Sequence, residues 1–113
     1  MDLGKKGEEM VERLLMARGF TRLVRNYRFD HGELDIVMSK QNHLYFIEVK
    51  TRSGVSFGYP EEAVGLKKRK SMHKVAEAFI SQCAYYSFSP RFLIAAVIVI
   101  AKTASVRFFE MEE

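Results

Sequence analysis

Two apolar segments joined by a short polar stretch constrain this chain more than any other feature. Glu33–Met38 alternates in character, and Leu44-Tyr45-Phe46-Ile47 runs straight into Glu48-Val49-Lys50. Each has the length and the β-branched or aromatic content of a strand, and Ser39–His43 between them is polar enough for a loop. The pair reads as a hairpin, with Leu34, Ile36 and Met38 expected on one face and Glu33, Asp35 and Val37 on the other. If the loop centres between Gln41 and Asn42, Asp35 falls opposite Glu48 and Glu33 opposite Lys50. A register shift of two residues would make them diagonal neighbours on the same face. Facing Cβ atoms lie about 4.5–5.5 Å apart, so two carboxylates placed there repel unless something positive lies between them. Ending an apolar strand in a carboxylate and an ammonium on one face is costly unless the pair has a partner or a task.

Composition narrows the class. With 113 residues, 48% of them apolar and 12% aromatic, the chain can bury a core and is not disordered. Eighteen basic against fourteen acidic residues give a net charge of +4 and a pI near 9.3. That balance favours a polyanionic partner without requiring one. Cys83 is the only cysteine, which excludes an internal disulfide and a Cys-rich zinc motif; it is expected to be a buried small residue late in a helix. The N-terminus has no apolar core like that of a signal peptide. The longest apolar run, Phe92–Ala101, is too short to span a bilayer as a helix. The expectation is a soluble, cytoplasmic protein with no membrane partner.

The remaining elements follow from periodicity. Val11, Leu14, Leu15 and Arg18 recur at helical spacing over residues 4–18, and Gly19 supplies a stop. Glu8 projects from the apolar side of that helix, near its N-terminus, while Glu9, Glu12 and Arg13 are expected on the wetter side. Thr21–Arg28 reads as a strand, and Asp30-His31-Gly32 as a turn. After a loop, Ser53–Pro60, a second helix is expected from about Glu62 to about Tyr85, with a break near Gly65. Its buried stripe is Met72, Val75, Ala76, Phe79 and Ile80. Phe92–Ile100 reads as a central strand and Ser105–Glu110 as an edge strand. The order α-β-β-β-α-β-β is that of a mixed sheet flanked by helices.

Asp35, Glu48, Lys50 and Glu8 are the groups with chemistry to offer. Carboxylate oxygens suit magnesium, which keeps several waters and takes few protein ligands. Asp35 and Glu48 would hold the ion, with the carbonyl of Val49 as a further ligand and Glu8 reaching in from the helix, directly or through water. Lys50 would position or deprotonate a water, or neutralise charge developing on a phosphate. Taken singly, each group has a plainer reading. Glu-x-Lys at a strand end is usually a surface ion pair, Asp35 opposite Lys50 makes a cross-strand pair, and Glu8 complements a helix N-terminus.

In combination these residues resemble the PD-(D/E)xK nuclease superfamily, with its restriction-endonuclease-like fold. Within it the chain is similar to the YraN-type family of small bacterial proteins, related to archaeal Holliday junction resolvases. The matching segments, in order, are Gly4-Lys5-Lys6-Gly7-Glu8, Arg25-Asn26-Tyr27-Arg28, Gly32–Val37, Phe46–Arg52, Phe57-Gly58, Ala63-Val64, Lys68 and Arg91-Phe92. The resemblance implies an α/β, restriction-endonuclease-like domain over residues 1–113. It implies Asp35 and Glu48 as metal ligands, Lys50 as the catalytic lysine and Glu8 as an accessory acid, with Glu33 in the motif without a clear role. It implies a magnesium-dependent endonuclease acting on DNA, with manganese as a substitute ion, branched or repair intermediates as substrates, and room for a homodimer. Leu93 stands where the family usually carries Asp, and Val11 where its first helix has Ala; neither change removes a core catalytic group.

Lys67, Lys68, Arg69, Lys70 and Lys74 open the second helix beside His73, and Arg52 ends the Glu48 strand. Read functionally, they contact a phosphate backbone without reading sequence; read structurally, they form a solvated helix face. Arg22, Arg25 and Arg28 would extend the patch. Phe57 and Tyr59 would stack on bases or, as is commoner, pack over the helix. His31, His43 and His73 lack metal-ligand spacing and are expected at the surface, His31 near the mouth of the site. A non-catalytic nucleic-acid-binding domain and a protein-interaction module remain alternatives on the same fold.

Overall fold

The computed structural model describes residues 2–56 and 58–111, so the expectation for Phe57 lies outside the described residues. The elements are α1 (Leu3–Met16), β1 (Thr21–Phe29), β2 (Gly32–Lys40), β3 (His43–Arg52), a 3₁₀ turn (Pro60–Ala63), α2 (Leu66–Cys83), β4 (Ser89–Ile100) and β5 (Thr103–Met111). The order is the expected one. The five strands form one sheet, β1-β2-β3-β4-β5, with β3 and β4 parallel and the other pairs antiparallel. α2 makes the crossover between the parallel pair, as such a pair requires.

Helix α1 starts where the Asp2 carboxylate accepts the Gly4 amide, 2.9 Å away, an N-cap that satisfies one free donor. It buries Gly7, Val11, Glu12 and Leu15. Glu12, expected on the wetter side, is only 7% exposed. It accepts from Arg22 at 3.2 Å and Arg25 at 2.6 Å, tying α1 to β1. The break expected near Gly65 is present: the 3₁₀ turn ends and Gly65 caps α2. Cys83 is exposed, contrary to expectation: it shares the helical phase of Met72, Ala76 and Phe79 but is the last residue of α2, beyond the last buried position of that stripe.

The sheet separates two cores. On the α1 side, Val11 and Leu15 pack on Ile36, Met38, Ile47, Val49, Ala95 and Val97. On the α2 side, Met72, Val75, Ala76 and Phe79 pack on Leu34, Val37, Leu44, Phe46, Phe92 and Ile94. Phe46 stacks on Phe92 with ring centroids 5.3 Å apart and meets Phe79 edge-on at 6.0 Å. β4, paired on both sides, is a nearly continuous apolar run because both its faces are covered.

The expected facing of β2 needs correction. Leu34 belongs to the α2 side, whereas Ile36 and Met38 belong to the α1 side. The two-residue alternation therefore breaks at Asp35. His73 is also half-buried rather than at the surface, its ring 4.0 Å from that of Phe92. No helix among the described residues is long and apolar enough to cross a membrane.

Candidate active site

The hairpin turns at Gln41 and Asn42, and β2–β3 pairing runs from Lys40↔His43 to Ile36↔Ile47. That is the expected register. Carried one step further it sets Asp35 opposite Glu48, but the ladder stops there. In its place, the Asp35 Oδ2 accepts the Val49 amide at 2.7 Å. A side chain takes over a ladder bond at the point where the strands part.

Glu48 points to the α2 side, the same face as Leu44 and Phe46, and is 2% exposed. Lys50 Nζ lies 3.4 Å from its Oε2, and Lys68 Nζ, from α2, lies 3.5 Å from its Oε1. Oε1 is buried without a hydrogen-bond partner. Burial, and then the neighbouring Asp35 carboxylate, push the Glu48 pKa up to about 7 against the pull of Lys68 and Lys50. An acid in that state divides between its protonated and ionised forms near neutrality, and added positive charge favours the ionised form.

Glu8 is half-buried on α1. Its pKa is raised, chiefly by burial and next by Asp35, while Arg25 opposes the shift. Glu8 therefore lies within the field of Asp35. Gly7 allows this approach, since a Cβ there would sit 2.0 Å from Thr51 Oγ1. A residue with no side chain lets α1 close onto the end of β3.

Among the described residues, no group of three or more His, Cys, Asp or Glu side chains converges to hold a metal ion. The set still fits magnesium, which retains waters and needs few protein oxygens. Asp35 and Glu48 are hard donors, and Glu48 carries a buried oxygen without a hydrogen-bond partner. Val49 contributes its amide to the site, through Asp35.

The basic residues divide. Lys68 turns inward to Glu48 and also donates to the Glu33 carbonyl at 3.4 Å. Lys67, Arg69 and Lys70 are exposed on α2. Lys74 is engaged by the Asp30 carboxylate. Arg52 is exposed and bonds the Thr51 carbonyl. A cleft of about 470 Å³ beside the site is lined by His31, Glu33, Lys67, Lys68 and Ser71 among others, which puts His31 at the mouth, as expected. Arg22 and Arg25 are committed to Glu12. Tyr59 packs under the Arg107 guanidinium, 4.9 Å from it.

Sequence reasoning missed the Glu12 cluster, although Glu12 follows Glu8 by one helical turn and so shares its face. Leu93 aligns with Ile47 and packs on the α1 side, across the sheet from Glu48.

Comparison with known proteins gives the family and the fold. The model of the uncharacterised protein family UPF0102 matches residues 7–97. The UPF0102 protein of Chloroherpeton thalassium is 41% identical over 96 residues, spanning 85% of this chain and 74% of that one. A UPF0102 protein of Chlorobium phaeobacteroides is 41% identical over 114 residues, spanning 98% and 89%. Among solved structures, the chain is similar to Archaeoglobus fulgidus Hjc, a Holliday junction resolvase from an archaeal hyperthermophile. The TM-score is 0.61 at 19% identity, covering 95% of this chain and 76% of that one. At that identity the likeness is one of fold, the restriction-endonuclease-like fold that Hjc shares. By sequence, the chain belongs to the uncharacterised protein family UPF0102.

Proposed function

We propose that this protein is a metal-dependent endonuclease that hydrolyses phosphodiesters in DNA, with branched or repair intermediates as its substrates. The observation that carries the reading is Glu48, buried at the point where the β2–β3 ladder opens, facing Asp35 and flanked by Lys50 and Lys68. A carboxylate pair in this setting is destabilised by itself and stabilised by a cation. Magnesium, or manganese in its place, would supply a Lewis acid and a more acidic bound water.

The chain's own groups divide the remaining work. Asp35 and Glu48 hold the ion, joined by the Val49 carbonyl, while the Val49 amide fixes the Asp35 carboxylate. Lys50, half-exposed beside Glu48, reaches a phosphate oxygen or the attacking water and neutralises charge there. Glu8, close enough to feel the Asp35 charge, is the accessory acid. Lys67, Arg69 and Lys70, with Arg52, hold the phosphate backbone and contribute affinity that falls with salt. The neighbour in fold is a Holliday junction resolvase, so four-way DNA belongs among the substrates tested, and a homodimer would suit a symmetric junction.

A second reading, a non-catalytic nucleic-acid-binding domain, draws support from the two ammonium groups that already face Glu48. Cleavage of single-stranded, duplex, flapped and four-way DNA with magnesium or manganese separates the two. Metal-dependent cleavage lost in Lys50→Ala supports the nuclease. Binding without cleavage supports the second reading, and cleavage that persists in Lys50→Ala defeats the assignment of the site.

A further inference from the structure

Among the described residues, six non-glycine residues have positive φ. Asp30 and His31 form the β1–β2 turn, Gln41 and Ala101 sit in the two other hairpin turns, and Ala84 caps α2. Asn26, at φ 52°, is different: it lies in the middle of β1. Left-handed backbone inside a strand costs free energy, and Asn tolerates it better than most residues.

Its position gives this conformation a consequence. β1 pairs with β2 through Arg25↔Ile36 and then Tyr27↔Leu34, so Asn26 falls opposite Asp35, and that step is skipped in the ladder. On either side of it the faces exchange. Arg25 reaches Glu12 of α1, while Tyr27 meets Phe79 of α2 with ring centroids 5.1 Å apart. On β2, Ile36 packs on the α1 side and Leu34 on the α2 side. In a regular strand, residues two apart share a face. A single left-handed residue rotates β1, and β2 follows it. Asp35 lies where the faces exchange, and its carboxylate accepts the Val49 amide.

We propose that Asn26 is a positioning residue: its left-handed backbone turns β1 and β2 together and thereby aims the Asp35 carboxylate at the β2–β3 opening. Asn26 itself is exposed, and its effect on the site runs through Asp35. What matters at this position is tolerance of positive φ, which glycine shares and β-branched residues lack. The consequence for metal binding rests on the nuclease reading; the consequence for Asp35 does not.

The test follows the Val49 amide by nitrogen–proton NMR in Asn26→Val, Asn26→Thr and Asn26→Gly, with Thr21→Val as an edge-strand control for stability. Asn26→Thr adds no exposed apolar surface and serves if Asn26→Val fails to fold. The expected result is loss of the Asp35 bond in the β-branched variants, seen as an upfield amide shift and exchange faster by about tenfold or more. Asn26→Gly and Thr21→Val keep it. Manganese affinity, read by paramagnetic broadening, falls on the order of 10–100-fold in the same variants. Retention of the Val49 bond in all of them overturns the proposal, as does equal loss in Asn26→Gly. If the unsubstituted protein binds no manganese, the metal reading fails while the amide shift still decides the role of Asn26.

Discussion

The two halves of the sheet are built differently. β3–β4 pairs without interruption from His43↔Ser89 to Arg52↔Ile98, and β4–β5 from Phe92↔Met111 to Ile100↔Thr103. In the other half, β1–β2 carries a register shift between Arg22 and Val24 and skips Asn26 and Asp35, and β2–β3 stops at Ile36↔Ile47. An unbroken ladder satisfies its own amides and carbonyls and leaves no group free for chemistry. The interrupted half frees one amide and gives it to a carboxylate. The candidate chemistry lies on the seam, with Glu48 and Lys50 on β3, the strand the two halves share.

If the regular half supplies stability and the seam supplies chemistry, substitutions should separate the two. Phe46→Ala empties a site that is 0% exposed and stacked on Phe92, and unfolding by denaturant should show a loss of about 3–5 kcal/mol. Lys50→Ala should leave the denaturant midpoint nearly in place, because Glu48 can take up a proton when one ammonium is removed. Cleavage, by contrast, should fall by about 10²–10³-fold. If Lys50→Ala destabilises the fold as much as Phe46→Ala does, the division fails.

The seam should also respond to pH where the regular half does not. The Glu48 carboxyl titrates near 4.5 when unfolded and at about 7 when folded. The folded state therefore binds its proton more tightly, and stability falls as pH rises from about 4.5 to about 7, then levels off. In chelator, Glu48→Gln should remove this fall and stabilise the protein at pH 8 by about 2 kcal/mol, while abolishing metal-dependent cleavage. A wild-type stability that is flat across that window, or a Gln variant that follows wild type, would contradict the buried-acid account.

Gly7→Ala probes how α1 is attached to the seam. The added Cβ would lie 2.0 Å from Thr51 Oγ1 and 3.2 Å from Thr51 Cβ. Relief of that overlap should cost about 1–3 kcal/mol and move Glu8 away from Asp35. Adding Thr51→Ala deletes the hydroxyl and should recover most of the loss, so the double-mutant cycle reads as strong coupling. Additive effects would mean that Gly7 is not held by this contact.

The sequence made the hairpin register readable because a short polar loop and period-two patterning fix it together. Both cores were readable for the same reason: Val11 with Leu15, and Met72, Val75, Ala76 and Phe79, follow the helical repeat. The exchange of faces at Asp35 was not readable, since a single left-handed residue leaves no period, and alternation assigned Leu34 and Ile36 to one side. Glu12 is buried against what its charge suggests, in the helical phase that Glu8 one turn earlier shares. The contact of Tyr59 with Arg107 was not readable, since β5 is distant in sequence. Nothing local marks a contact of that kind.

The smallest expected effect concerns the exposed lysines, and it tests whether the seam reaches beyond the site. Lys67 and Lys70 are exposed one turn apart on α2, and Lys67 lines the cleft that also holds Lys68 and Glu33. Neither has a carboxylate partner among the described ion pairs, whereas Lys74 has Asp30 and Lys68 has Glu48. If the cleft receives a phosphate backbone, Lys67→Ala and Lys70→Ala should each weaken DNA binding modestly and equally across sequences. Each should also lower the slope of log affinity against log salt by about 1. Lys74→Ala should change that slope less, because its ammonium is already engaged. A slope that responds to Lys74 as much as to Lys67 would show that net charge, rather than the cleft beside Glu48, attracts the nucleic acid.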